Sequence, residues 1–452
     1  HGVVLVMFFY LALTAHRNIV FFVLISAPFV AICLDHAGTL LRSRFPKLKQ
    51  FSAKPAYGLL VLWGILAYVA VGSNFYYRHV NTREHYGLLV APGKNPVGGS
   101  EFLKKAGTTS GNIYSDYLTS SYFMWENRPG FKTYVDLRDL DVFPAAFMTQ
   151  TAQELFYPET WEQANARYQF REVILYQSIA PNLHRYLYQH PQWQLVFADA
   201  VTAIYQPGQN QTAPEDPFVA PTFREPAALA TGISRLFWPV YQPQVPPHEP
   251  TDLVASRFYR VVGNYQQAAK RAMALSANQQ HRYQSLIELG EIHLEQAQKI
   301  SGQDQPAMLE HALKYFDQAV QLYPDQPGGY GGQGKIAVLR GDAVYARQQL
   351  EKALDLSDKK DLVLYTTMAQ AIGIQINNGY DSYFDDWFRY MLKAYELDPE
   401  NEQIRFIIGQ TYCTRGDCKS AEKFLTGLAG YPGVTQQELQ QVQLCKMNCR
   451  IK

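Results

Sequence analysis

The sequence lacks most of the signatures that would name a chemistry. It has no surplus of charge: 41 Lys and Arg stand against 40 Asp and Glu, a formal net charge of +1. That balance gives no global field for nucleic acid or for acidic partners. It has no glycine-rich phosphate loop of either standard type. It has no nucleophile constellation and no metal-ligand motif in the region that reads as α/β. It does not begin with Met or with the basic start and small-residue cleavage site of a signal peptide. His1 falls inside an apolar run, residues 2–15, of which only about 14 residues are visible where a membrane span needs about 20. More chain, with more spans, is therefore expected upstream. Cysteine is scarce, five in 452 residues, and four of the five crowd into the last 40 positions. Aromatic residues are abundant, 14 % with 31 Tyr, which argues against broad disorder.

What is present begins with hydrophobic runs. Residues 2–15 are followed by a polar break, His16-Arg17-Asn18, then by residues 19–34 with Pro28 in their middle. Residues 35–56 carry Arg42, Arg44, Lys47, Lys49 and Lys54 against the single acid Asp35. The positive-inside rule makes this loop cytoplasmic. Residues 57–73 (YGLLVLWGILAYVAVGS) then read as the last of three visible spans, with Phe75-Tyr76-Tyr77 as an interfacial belt. This predicts transmembrane helices over 1–75 in a cytoplasmic (inner) membrane, and everything after about residue 74 on the periplasmic or extracytoplasmic side. The lipid bilayer is thus an expected partner. The same logic puts Arg17 at the outer surface, either holding a lipid phosphate or anchoring a helix end.

Residues 76–206 alternate short β-branched runs with amphipathic stretches. Strands are expected over 111–115, 132–137, 172–176, 193–197 and 202–205. Helices are expected over 100–106, 116–126, 143–155, 161–168 and 181–189. Strands separated by helices argue for a small α/β domain with a mainly parallel sheet and an antiparallel final pair. Asp136 and Arg138, in YVDLRDLD, fall at the C-terminal end of a predicted strand, where open α/β sheets bind ligands. They read either as a ligand or lipid-headgroup contact or as an internal ion pair. Asp116 and Trp125 read as structural.

The string GNIYSDYLTSSYFMWENRPGFKTYVDLRDLDVF resembles a segment of bacterial multi-spanning proteins of the GT-C glycosyltransferase superfamily. Ser121-Tyr122-Phe123-Met124-Trp125 and Asp136-Leu137-Arg138 fall at matching places, with Leu137 and Ser121 where Gly is common. The ending WQLVFADAVTAIY and the junction at Arg17 are similar too. The resemblance covers the membrane-like and α/β parts of the chain. It implies transfer of a sugar from a polyprenyl-phosphate donor, with the catalytic acid and any divalent metal in an outer loop upstream of this chain. No catalytic residue carries over onto the sequence, and no cofactor is visible in it.

Residues 207–252 are rich in Pro and Gln and read as a linker, extended in polyproline II fashion, with an apolar stretch at 233–241 that could dock. From 253 to 452 the chain reads as helix pairs. Gly334, Gly341-Asp342, Ala346 and Ala353 stand at repeat spacing, and Gly409, Gly416-Asp417 and Ala421 repeat the offsets of the first, second and third of these. Ala319 and Ala353 stand apart by one repeat period of about 34 residues. These units resemble tetratricopeptide repeats, which implies a concave surface for a protein or peptide. Tyr365, Gln370 and Arg405 are candidates to line it, or ordinary solvated positions. Cys413, Cys418, Cys445 and Cys449 read as two disulfides in an oxidising compartment, with three connectivities open. A four-thiolate zinc site is the alternative. Two functions from different classes follow: the C-terminal part of a lipid-linked-sugar glycosyltransferase whose repeats hold an acceptor or partner, or a non-enzymatic membrane-anchored scaffold or complex subunit.

Overall fold

The computed structural model describes residues 95–107, 112–126, 132–136, 143–208, 216–220, 249–300, 302, 304–357, 359–428 and 434–449, and the isolated positions 44, 62, 65, 66 and 69. The three expected spans lie outside the described residues, except for Leu62, Ile65, Leu66 and Val69, which are helical and exposed. Among the described residues no helix is long and apolar enough to cross a membrane. The described chain is mostly helical. Residues 1–88 with 227–244 form one unit, and residues 89–226 with 245–452 form a second, described below.

The α/β part of the second unit runs α1 (Val97–Lys105), β1 (Ile113–Ser115), α2 (Tyr117–Glu126), α3 (Ala145–Phe156), α4 (Pro158–Tyr168), β2 (Glu172–Tyr176), α5 (Pro181–Gln189), β3 (Trp193–Ala198) and β4 (Thr202–Pro207). The sheet order is β1-β2-β4-β3. Only β1 and β2 are parallel; β4 pairs antiparallel with both β2 and β3. The expectation of a mainly parallel sheet is corrected on this point. The predicted strand 132–137 is reduced to a single bridge, Thr133 to Ile113, because the chain bends at Tyr134-Val135 after one ladder bond. Along β2 and β4 the side chains alternate between two cores. Val173, Leu175, Ala203 and Tyr205 face one, and Ile174 and Ile204 face the other with Leu103 and Phe123. Both faces of the sheet are covered.

Asp116 starts α2 as its cap. Its carboxylate accepts from the Leu118 and Thr119 amides at 2.8 and 2.9 Å, and from the amide of Tyr176 at the end of β2. Burial raises its pKa, and these hydrogen bonds work against the rise. The structural reading of Asp116 fits this geometry.

The repeat part consists of five helix pairs and a final helix. The pairs are α6 (Thr251–Val261) with α7 (Tyr265–Leu275), α8 (Arg282–Lys299) with α9 (Asp304–Leu322), and α10 (Pro327–Arg340) with α11 (Ala343–Leu356). They continue with α12 (Leu362–Asn377) and α13 (Phe384–Leu397), then α14 (Glu402–Thr414) and α15 (Cys418–Leu425). The last helix is α16 (Gln436–Cys449). Each helix packs on the next, and the first helices α6, α8, α10 and α12 pack side by side. Three of the five intra-pair turns share one device. Gly263, Gly341 and Gly416 take φ of +85°, +76° and +77°, and the following Asn264, Asp342 or Asp417 caps the second helix by accepting a backbone amide.

Small residues sit where the helices of a pair cross. A Cβ at Gly334 would lie 2.6 Å from Leu350, and one at Gly409 would lie 2.5 Å from Leu425. Ala268, Ala346 and Ala421 on the second helices are fully buried. Gly334→Ala and Gly409→Ala should therefore each cost about 1–3 kcal/mol through overpacking. Gly373→Ala, whose methyl meets nothing nearer than the Trp387 indole nitrogen at 3.9 Å, should be neutral or stabilising by up to about 1 kcal/mol. Urea denaturation followed by helix ellipticity distinguishes the two classes.

Candidate functional site

The first helices of consecutive pairs present neighbouring faces, and charge ties them together. Arg260 on α6 donates to Glu288 on α8 at 2.8 Å and to Glu295 further along the same helix. Arg257 lies 3.9 Å from the second Glu288 oxygen and holds Glu249 at 2.7 Å. Lys335 on α10 reaches back to Glu291 on α8 at 2.6 Å. Burial works to lower the Arg260 pKa, and the Glu288 and Glu295 carboxylates more than offset it, so the guanidinium is held above its usual range. The ladder sets three cations among four carboxylates, and it fixes the spacing of the helices rather than offering a single-sign groove.

Further along, the candidate groove residues divide. Tyr365 is buried, and its hydroxyl donates to the Lys359 carbonyl at 3.3 Å. Arg405 donates to the Thr426 carbonyl at 2.7 Å, tying α14 to the end of α15. Both serve the array's own packing. Gln370 is exposed on α12.

Of the ligand candidates Asp136, Arg138 and Arg17, only Asp136 falls within the described residues. Asp136 is buried at 2 % exposure, which takes its carboxylate away from solvent. Arg138 and Arg17 lie outside the described residues. The cysteines do come together: Cys413 is bonded to Cys445 and Cys418 to Cys449, with Cα separations of 5.9 and 5.2 Å. Two covalent links thus hold α16 against α14 and α15, in one of the three connectivities left open by the sequence.

Sequence reasoning did not find the seam between the α/β part and the repeats. Val254, Ala255, Phe258, Tyr259 and Val262 of α6 and its end enter the same core as Leu183 and Leu187 of α5. Arg185 and Gln189 donate to the carbonyls of Val261 and Val262, at 3.2 and 3.1 Å, where α6 runs out of internal partners. Phe218, inside the expected linker, bridges to Ala198 and packs on Phe258 and Tyr259. A shallow cleft of about 430 Å³ opens on the seam between Tyr188-Gln189 and the turn Val262 to Gln266. The one local signal was the Gly263-Asn264 turn, which matches Gly341-Asp342.

No protein-family model matches the chain. No curated protein matches it either. Among solved structures it is similar to yeast Tom70, at 18 % identity and a TM-score of 0.36, over 44 % of this chain and 39 % of that one. The chain thus spans well under half of Tom70. It is also similar to a thermophilic TPR protein of Thermus thermophilus, at 20 % identity and a TM-score of 0.30, over 38 % and 84 % of the two chains. A third is MamA from Desulfovibrio magneticus, at 17 % identity and a TM-score of 0.30, over 39 % and 90 %. Likeness at this level carries no argument, and the repeat assignment rests on the helix pairs, their turns and their small residues.

His184 sits at the seam, fully buried, with Nδ1 2.8 Å from the Tyr205 hydroxyl, Nε2 3.2 Å from the Tyr176 carbonyl and its ring edge-on to Phe258. Burial lowers its pKa from 6.5 to about 4. The folded chain therefore refuses a proton that the unfolded chain accepts below pH 6.5. The stability His184 contributes is full above that pH and is lost as pH falls toward 4. At pH 4.5 the loss should be roughly 2.5 kcal/mol relative to pH 7. Asp199, raised to about 6 by burial against its hydrogen bonds from Val201 and Thr202, acts in the opposite direction over the same range. Comparing the pH 7 to pH 4.5 difference in denaturation free energy between the parent and His184→Asn isolates the histidine; the variant should lose most of that component.

Proposed function

We propose that the chain is a protein-interaction scaffold whose partner lies across the first helices of the repeats. The observation that carries this reading is the run of helix pairs with first helices packed side by side, a continuous surface assembled without any catalytic constellation among the described residues. A surface built this way offers an extended face to a peptide or a folded partner. The reading extends to place: the array is held at a membrane by the hydrophobic stretch 1–75, on the oxidising side. The basic loop 35–56 and the paired cysteines support that orientation. Leu62, Ile65, Leu66 and Val69, at helical spacing and all exposed, suit an apolar surrounding.

Sugar transfer from a polyprenyl-phosphate donor rests on the resemblance alone. No observation among the described residues favours it over the scaffold.

A photoreactive residue at Gln370, exposed on the first helix α12, should crosslink a partner in cells. The same probe at Gln348, exposed on the second helix α11, should not. Equal labelling from both positions, or none from Gln370 and its exposed neighbours on the first helices, would sink the reading.

A further inference from the structure

The four C-terminal cysteines have a geometry that suits more than two disulfides. Cys413 lies in the last turn of α14, Cys418 opens α15, and Cys445 and Cys449 share one face of α16, one helical turn apart. The Sγ atoms of Cys413, Cys445 and Cys449 all lie within 4.8 Å of one another, and Cys418 is bonded to Cys449. A tetrahedral Zn–S₄ centre with bonds of about 2.3 Å needs sulfurs about 3.8 Å apart. Three of the four sulfurs are gathered close to that scale, and Cys418 is tied to the group through its bond to Cys449.

The packing around it includes apolar contacts besides the sulfur–sulfur bonds. Phe406, Ala421, Leu425, Leu428, Val434 and Val442 form a core of their own between α14, α15 and α16. On reduction these contacts, with Val442 and Leu439 contributed by α16, are what keeps the thiols near one another. Cys445 is buried at 3 % and the other three are half-buried, so the site is sheltered yet open to an incoming ion. Lys419 and Lys446 follow Cys418 and Cys445 directly in the chain and offset part of the charge that four thiolates would bring. The spacings C-x4-C and C-x3-C fall within the range that structural zinc sites use.

We propose that the reduced chain binds one Zn²⁺ through Cys413, Cys418, Cys445 and Cys449, so that the terminal helix is pinned to the last repeat in either redox state. In the oxidised state the pins are two disulfides. A dithiol reductant delivers two electrons and two protons to each disulfide and is itself oxidised to a disulfide. The four thiols then release four protons on binding Zn²⁺, leaving a tetrathiolate centre with a net charge of −2. The proposal is independent of what the repeats bind.

The test uses the full chain carrying Cys33→Ser, so that only the quartet contributes thiols. Reduced with a phosphine and titrated anaerobically with Co²⁺, it should bind one ion per chain with the visible and near-ultraviolet bands of tetrahedral thiolate ligation. One equivalent of Zn²⁺ should displace the colour. Cys449→Ser should weaken binding at least about 100-fold, beyond the 10–100-fold that loss of an outer partner brings. Because that variant could also disturb packing, the reduced parent is alkylated with and without Zn²⁺ and read by mass spectrometry. Protection of all four cysteines by one equivalent supports the site. Protection of three or fewer, the absence of a stoichiometric tetrahedral spectrum, or binding undiminished in the Cys445→Ser and Cys449→Ser variants overturns it.

Discussion

A stack of helix pairs has an unavoidable problem at its ends, where the apolar face of the outermost pair has no next pair to cover it. The contact that solves it at the N-terminal end is the junction of α5 with α6. Leu183 and Leu187 meet Val254, Phe258 and Val262 in one core, and Arg185 and Gln189 satisfy the carbonyls at the end of α6. The α/β part is thus also the cap of the array. Its sheet is covered on one face by α1 and α2, and on the other partly by the first repeat pair. Removing either part would expose the core of the other.

At the opposite end the same problem has a covalent solution. The apolar side of α14 and α15 is covered by α16, through Val442 and Cys445. That helix has few large apolar residues to bury, and Leu444 and Met447 face solvent. Its packing alone would be a weak closure, and the cysteines supply what the side chains do not. Between the two caps, charge as well as apolar area fixes the relation of the first helices, from Arg260 through Glu288 and Glu291 to Lys335. Matched pairs in partial burial contribute less to stability than to alignment.

The elements that were legible in the sequence owed it to local rules. Gly341-Asp342 and Gly416-Asp417 announce a turn and a cap, and Gly334, Ala346 and Ala353 announce a close crossing, whatever surrounds them. The alternating strands 172–176 and 202–205 were equally plain. Residues 132–137 were not, because Tyr134 is spent on a ring cluster with Tyr114 and Phe170 instead of a ladder. The parallel or antiparallel sense of β4 depends on where a chain returns, which no local pattern records. The seam depended on Phe258 and Leu183 finding each other across two strands and the expected linker. Of the site residues, the cysteine quartet was legible as a cluster but not as pairs, and Asp136, read either as a ligand contact or as an internal ion pair, is buried.

Helix α10 holds five glycines in fourteen residues, PGGYGGQGKIAVLR. Against alanine this forfeits on the order of 5 kcal/mol of intrinsic helix preference, recovered only because Phe316, Val320, Leu350 and Leu364 occupy the space those side chains would have taken. The helix exists by courtesy of its neighbours. It also joins two cores: Ile336 enters one with Leu294, Leu309 and Phe316 of α8 and α9, and Tyr330 and Ala337 enter the next with Leu350 and Leu364. In a one-dimensional chain of coupled units this makes α10 a link that depends on both of its neighbours. Order spreading along the array from either capped end must bring up neighbours on both sides before α10 is worth forming.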